Sequence, residues 1–188
     1  MKKFIIFSLM LILVLSIAGC SSSSPSTSST NASQPDAAPI KMGRVEYAAH
    51  GTKCFTVAVV ALQGDKIVGA SIDDYQFMSK DVAKGVPNSD SDFGKNYADP
   101  NMVLASKRAN AEYYSEHMKE EAGATTPINK SFDAIEAYVT GKTISELEDI
   151  LAKNSPEQMV DAVSGATLVD TKGYISAIVA AAKVAAAR

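Results

Sequence analysis

Near its C-terminus the chain reads Asp161-Ala162-Val163-Ser164-Gly165-Ala166-Thr167, followed by Leu168-Val169-Asp170 and a segment rich in alanine. Gly165 permits backbone angles that other residues resist, so the pattern predicts a tight loop. Asp170 is a favourable N-terminal cap, which predicts that a helix starts directly after it. Apolar side chains then recur at helical spacing and predict one buried helix face, formed by Ile175, Ile178, Val179 and Ala182.

The same loop places two hydroxyl side chains, those of Ser164 and Thr167, just before the predicted helix. The first turn of a helix has free N–H groups and the positive end of the helix dipole, and both favour an anion. The residues alone therefore predict a phosphate-binding loop. A turn that merely caps the helix is the alternative reading of the same residues.

The spacing Asp161-x-x-Ser164-Gly165-Ala166-Thr167 resembles the attachment motif of bacterial FMN-binding domains. That family includes flavin-carrying subunits of the Na⁺-translocating NADH:quinone reductase and of a related ferredoxin-linked complex, and flavin lipoproteins of extracellular electron transfer. A flavin transferase esterifies FMN in that family, through its phosphate, to the last Thr of the motif. The resemblance implies the same attachment at Thr167. It also implies that the rest of the loop contributes to the FMN site: Asp161, Ser164, Gly165, Ala166 and Leu168.

Two side chains of the motif have implied roles that stay open. Asp161 either anchors the loop by accepting backbone N–H bonds or is recognised by the transferase, and Ser164 holds either the loop or a phosphate oxygen. The chain departs from the family after Leu168, because Val169-Asp170 stands where relatives commonly have Thr-Ser. We interpret Asp170 as a substitute helix cap.

Residues 1–20 predict a lipoprotein signal peptide. A short basic start is followed by an apolar segment, residues 4–17, which is too short to span a bilayer comfortably. The segment ends in Ile17-Ala18-Gly19-Cys20, which resembles a lipobox and implies that the Cys20 thiol is lipidated and becomes the mature N-terminus. An ordinary secretory signal with an accidental cysteine is the alternative. The prediction places the protein on the extracytoplasmic face of the cell membrane, anchored by lipid.

Composition divides the remainder of the chain into a linker and one domain. Residues 21–40 are rich in Ser, Thr, Pro and Ala and predict a flexible linker. Residues 41–188 are long enough for one domain with a core. The net charge of −3 and the lack of a dense basic patch argue against a nucleic-acid partner. Only Cys54 remains after lipidation, and we expect a buried core thiol; with two His and no cysteine pair, no metal site is predicted.

The domain predicts an α+β fold, an antiparallel β-sheet with packed helices, like an FMN-binding domain. Alternating and β-branched runs predict strands at residues 43–50, 54–62 and 67–72, with the third extending to residue 78 and ending the sheet. A turn is predicted at Gln63-Gly64-Asp65-Lys66. The pair Asp73-Asp74 is interpreted as a solvated edge rather than a cation site.

A long loop is predicted at residues 79–98, and helices are predicted after it. The two aromatic residues of the loop, Phe93 and Tyr97, either cover a flavin ring or hold the loop against the core. Asp99-Pro100 predicts the start of a helix that runs to residue 121, with Lys107-Arg108 on its solvated side. Three shorter segments follow: a helix capped by Ser131, a helix opened by the capping box Thr143 to Glu146, and a strand at Met159-Val160 as in FMN-binding relatives.

With the resemblance, these features imply a membrane-anchored extracytoplasmic flavoprotein that carries electrons through covalent FMN, with no catalytic residue of its own. The implied partners are a flavin transferase, a membrane oxidoreductase or quinone-linked electron donor, and membrane lipid. Two alternatives remain open. One is a solute-binding or surface-interaction lipoprotein without flavin, and the other is an extracytoplasmic flavin reductase.

Overall fold

The computed structural model describes residues 38–188. The predicted signal peptide, the lipidation at Cys20 and the linker up to residue 37 lie outside the described residues. The first strand begins at Ile40, so regular structure starts at the last residue of the predicted linker.

The described chain forms a four-stranded antiparallel sheet in the order β1-β2-β3-β4. The strands are β1 (Ile40–Tyr47), β2 (Cys54–Gln63), β3 (Lys66–Ser79) and β4 (Met102–Ser106). The first three strands and the Gly64-Asp65 turn confirm the predicted meander. With five helices following the strands in residues 38–188, the predicted α+β fold is confirmed.

One face of the sheet carries the helices, and strand register decides which residues reach it. Ala58 pairs with Ile72, and Thr56 pairs with Asp74 two residues further along the hairpin. Side chains two apart share a face, and all four of these residues are fully buried. The expectation that Asp74 is solvated is therefore wrong, because the strand alternation that buries Ile72 also buries Asp74.

The helices are α1 (Ala111–Ala122), α2 (Ile128–Val139), α3 (Ile144–Lys153), α4 (Pro156–Ala162) and α5 (Thr171–Ala186). Helix α5 lies across β1 and β2, α2 packs on β3, and α3 and α4 flank α5. The predicted apolar face of α5 is confirmed as part of the core. No helix within residues 38–188 combines the length and apolar character needed to cross a bilayer.

Three predicted elements are wrong. Residues 102–106 form β4 rather than the start of a helix, because they pair with the edge of β3, so β3 does not end the sheet as predicted. The later part of that predicted helix is present as α1. Ser131 lies buried inside α2, which starts at Ile128 after Pro127. Met159 and Val160 belong to α4 rather than a strand, because Ser155 and Gln158 form a capping box that starts this helix. The capping box of Thr143 and Glu146 opens α3 as predicted.

Candidate functional site

The predicted attachment loop connects α4 to α5 and is pinned to the core at three points. Val163, Ala166 and Leu168 are buried, whereas Gly165 and Thr167 between them are exposed. Gly165 adopts a φ of +91°, a conformation that residues with a β-carbon rarely take. The predicted glycine-dependent loop is thus confirmed, and Thr167 is held between two buried neighbours with its side chain accessible.

Thr167 lies on the wall of a cavity of about 320 Å³. The cavity is bounded by α1, the segment that joins α1 to α2, and the start of α5. Its lining is mostly apolar, with a few polar groups, which is typical of small-molecule sites. The lining residues used below are His50, Lys107, Tyr114, Met118, Thr125, Ile128, Thr167, Leu168, Asp170 and Tyr174.

A buried ion pair lies behind one wall of the cavity. The Nζ of Lys107 is 2.9 Å from Oδ2 of Asp74, and the two side chains are 1% and 0% exposed. The expectation that Lys107 is solvated is therefore wrong, because it neutralises a buried carboxylate. The hydroxyl of Tyr174 donates to the same oxygen at 2.9 Å, and Thr56 donates to the other carboxylate oxygen. The Lys107 ammonium also sits 4.5 Å above the centre of the Tyr114 ring. Both carboxylate oxygens therefore have partners, as a buried charge requires.

Lys107 is charged at neutral pH. Burial lowers the pKa of Lys107, but the Asp74 carboxylate and Tyr114 raise it more, so the net pKa is above its ordinary value. Burial, followed by the charge of Asp74, raises the pKa of Tyr174, so its phenol stays protonated and donates. Asp74 is absent from the cavity lining, whereas Lys107 is part of it. The pair thus presents its positive end to the cavity.

A second pair of polar side chains lies at the cavity wall, where Nδ1 of His50 contacts the Asp170 carboxylate. Asp170 occupies the N-cap position of α5 as predicted, but its side chain makes no capping hydrogen bond. Gly173 brings α5 against the segment before His50, because a β-carbon there would lie 2.2 Å from the Ala49 carbonyl oxygen. The interpretation of Asp170 as a side-chain cap is therefore wrong, and its carboxylate is directed to His50 instead.

The structure separates the other motif residues from the cavity. Asp161 is exposed on α4 and does not line the cavity. Ser164 is also exposed and does not line the cavity. Ala166 is buried beneath the loop, and Leu168 both anchors the loop and lines the cavity. Of the predicted site residues, Thr167 and Leu168 are the two that the fold brings to the cavity.

Three further candidate residues from the sequence, Phe93, Tyr97 and Cys54, lie elsewhere. Tyr97 packs edge-to-face on Phe77 of β3 and on Phe93, at ring distances of 5.2 and 5.7 Å. This cluster pins the long loop to the sheet, and neither loop aromatic lines the cavity of Thr167. Cys54 is half-buried rather than a core residue, and its thiol donates to the His50 carbonyl. Burial, then the Asp74 charge, raises the pKa of Cys54 to about 11, so the thiol is protonated at neutral pH.

The sequence interpretation did not find Lys107, Asp74, Tyr114, Tyr174 or His50 as site residues. One signal was available for Asp74, which lies two residues from Ile72 and four from Met78 along one strand. A carboxylate on an inward-facing position requires a cationic partner. That partner, Lys107, is brought to Asp74 by the pairing of β4 with β3, and the sequence predicted a helix at the position of β4.

No family model, curated protein or solved structure matches this chain. The function is therefore inferred from the residues of the site and their geometry.

Proposed function

We propose that the protein is a membrane-anchored extracytoplasmic flavoprotein that carries electrons through FMN esterified to Thr167. The observation that carries this proposal is the position of Thr167. Its side chain is exposed on a loop pinned by Val163, Ala166 and Leu168, and it lies on the wall of a largely apolar cavity. Residues 161–167 resemble the attachment motif of FMN-binding domains, and this resemblance is the reason for proposing FMN as the attached group.

The cavity residues fit FMN in size and in chemistry. A volume of about 320 Å³ is within the range of small-molecule sites. Met118, Ile128 and Leu168 offer apolar surface for an aromatic ring, and Lys107 offers a buried cation for its polar edge. Thr167 would hold the phosphate outside this apolar space. When bound, the isoalloxazine ring accepts and donates one or two electrons.

Attachment requires a partner enzyme, because a threonine hydroxyl is a poor nucleophile by itself. A base on the transferase would take the Thr167 proton while the hydroxyl oxygen forms a bond to the flavin phosphate. The bond that breaks is a phosphoanhydride in an activated flavin donor, and a nucleotide leaves with the electron pair. Gly165 is exposed and has no side chain, so the transferase can approach Thr167 closely.

Covalent attachment suits a protein on the outer side of a membrane, because a dissociated cofactor would be lost to the medium. The proposed lipid at Cys20 would hold the domain near membrane oxidoreductases or quinone-linked donors.

The test is co-expression of the protein with a flavin transferase, followed by a denaturing gel viewed by flavin fluorescence. The wild-type band should fluoresce, and Thr167→Ala should be dark because the attachment oxygen is gone. Thr125→Ala is the matched control, since Thr125 lines the same cavity outside the motif, and this band should stay fluorescent. Fluorescence in Thr167→Ala, or a dark wild type, would contradict the proposal.

An extracytoplasmic flavin reductase is the second candidate, and the open cavity favours it over a protein with a sealed cofactor. The loaded protein would then turn over repeatedly with one soluble electron acceptor. Steady-state kinetics with Thr167→Ala as the blank would distinguish a flavin reductase from an electron carrier. Turnover that saturates with acceptor concentration indicates a reductase, whereas a single oxidation event per loaded protein indicates a carrier.

A further inference from the structure

The cavity of Thr167 has one buried cation in its wall. Lys107 is 1% exposed and lines the cavity, whereas its partner Asp74 lies behind it. The other charged side chain of the lining, Asp170, is engaged by His50 at the rim. The cavity wall therefore carries a cation at Lys107 and, at the start of α5, a carboxylate that His50 contacts.

The Lys107 ammonium has donor capacity beyond its protein partners. An ammonium carries three N–H groups. Within residues 38–188 one of them is directed to Oδ2 of Asp74, at 2.9 Å, and the group lies against the face of Tyr114. With Asp74 and Tyr114 each taking one N–H, a third N–H remains on a residue of the cavity wall.

A purely structural role does not account for this arrangement. Replacing a buried ion pair by apolar side chains of similar size is often neutral or stabilising, so such a pair is weak evidence for a contribution to stability. Here three further groups, Tyr174, Thr56 and Tyr114, hold the pair in one orientation, and Lys107 rather than Asp74 belongs to the cavity wall. The orientation is useful to a ligand that carries negative charge or exposed acceptor atoms.

We propose, resting on the function proposed above, that Lys107 is the ring-binding residue of the cavity and raises the midpoint potential of the flavin. Its free N–H donates to an acceptor atom on the polar edge of the isoalloxazine. Reduction adds electron density to the ring, and a cation in a wall of low dielectric stabilises the electron-rich form more than the oxidised form. Asp74 positions the ammonium and keeps it protonated.

The experiment measures the midpoint potential of the flavin-loaded protein by reductive titration with dithionite beside a dye of known potential. Lys107→Met removes the charge but leaves Asp74 buried without its partner, so it risks misfolding. The double variant Lys107→Met with Asp74→Asn removes both charges, and Thr56 and Tyr174 can still hydrogen-bond the amide. The matched control is Lys183→Met with Glu148→Gln, which removes an ion pair on the surface outside the cavity.

We expect the double variant to carry fluorescent flavin and to favour the reduced ring about tenfold less, which lowers a two-electron potential by about 30 mV. The absorption band of the oxidised flavin should also shift, because the hydrogen bond to the ring is lost. The control pair should keep the wild-type potential and spectrum. A loaded double variant with the wild-type potential and spectrum would overturn the assignment of Lys107 and leave the flavin function intact. A wild type without fluorescent flavin would overturn both proposals.

Discussion

Lys107 and Arg108 are adjacent cations that the fold uses in different ways. The Lys107 side chain is 1% exposed and pairs with Asp74, which is 0% exposed. The Arg108 side chain is 26% exposed and pairs with Glu136 and Asp133 of α2, which are 19% and 49% exposed. The first pair lies beside the cavity, and the second joins the end of β4 to a helix.

Arg108 acts as a structural clamp. Its Nε donates to the Ile72 carbonyl at 2.7 Å, and its two terminal nitrogens donate to Glu136 and Asp133. The Asp133 donation is 2.9 Å long. A planar guanidinium with several fixed donors suits such bridging, whereas the compact ammonium of Lys107 acts as a point charge. The clamp therefore contributes stability through several partly solvated contacts, whereas the buried pair of Lys107 and Asp74 supplies an oriented charge.

Glu136 shows how burial and pairing compete in the clamp. Burial raises its pKa, and the Ile72 N–H and Arg108 lower it by less, so the net pKa is above its ordinary value. Asp133 is more exposed, and its hydrogen bond with Arg108 lowers its pKa. One guanidinium thus has two carboxylate partners with opposite shifts in pKa.

The largest expected effect is that of Lys107→Met. The substitution leaves the Asp74 charge buried without a cation, which we expect to lower the free energy of unfolding by about 3–5 kcal/mol. Urea denaturation followed by circular dichroism measures the change. A loss below about 1 kcal/mol would contradict the description of the pair as buried and charged.

Arg108→Met should cost less, about 1–2 kcal/mol, because Glu136 and Asp133 can turn to water once the guanidinium is gone. The same denaturation experiment gives the value. The unfolding slope with urea should stay that of the wild type, since the compactness of the folded state is unchanged. A loss equal to that of Lys107→Met would remove the distinction between the two cations.

The double variant Lys107→Met with Asp74→Asn should be within about 1 kcal/mol of the wild type, because no unpaired charge remains. Together with the two single variants it forms a double-mutant cycle that yields the coupling energy of the pair. If the double variant were as unstable as Lys107→Met alone, the instability of the single variant would come from lost packing of the long side chain.

The smallest expected effect concerns pH and the Glu136 carboxyl. Its folded pKa is above that of the unfolded chain, so the folded state binds the proton more tightly. Between the two pKa values the folded chain binds more protons, and the contribution of Glu136 to stability therefore falls as pH rises. Glu136→Gln mimics the protonated form at every pH. The stability of the wild type relative to Glu136→Gln should decrease from about pH 4 to about pH 7, and an increase would contradict the raised pKa.

The parts of the fold that the sequence predicted are those set by local interactions. The tight Gly64-Asp65 turn, the capping box of α3 and the positive φ at Gly165 each depend on a few neighbouring residues. The apolar face of α5 depends on helical spacing alone. For the same reason the sequence could place Thr167 on a loop just before a helix.

Two errors show when a local signal decides an element and when a distant partner overrides it. Residues 102–106 lie in a stretch with a good helix-start signal, yet pairing with β3 makes them a strand. The family resemblance predicted a strand at Met159-Val160 although Ser155 and Gln158 carry a capping box, and the local signal was correct. A capping box acts within one turn, whereas strand pairing depends on a partner elsewhere in the chain.

By itself, the amino-acid sequence determined the hairpin, the capped helix α3, the glycine-dependent loop and the exposed hydroxyl candidate at Thr167. The tertiary structure decided which side chains meet around the buried charge: Asp74 and Lys107 are 33 positions apart, and Asp74 and Tyr174 are 100 positions apart. It also decided that Lys107 rather than Asp74 lines the cavity of Thr167. The physical reason is that a charge is buried only where a distant strand or helix supplies its partner and excludes water, and no local pattern contains that information.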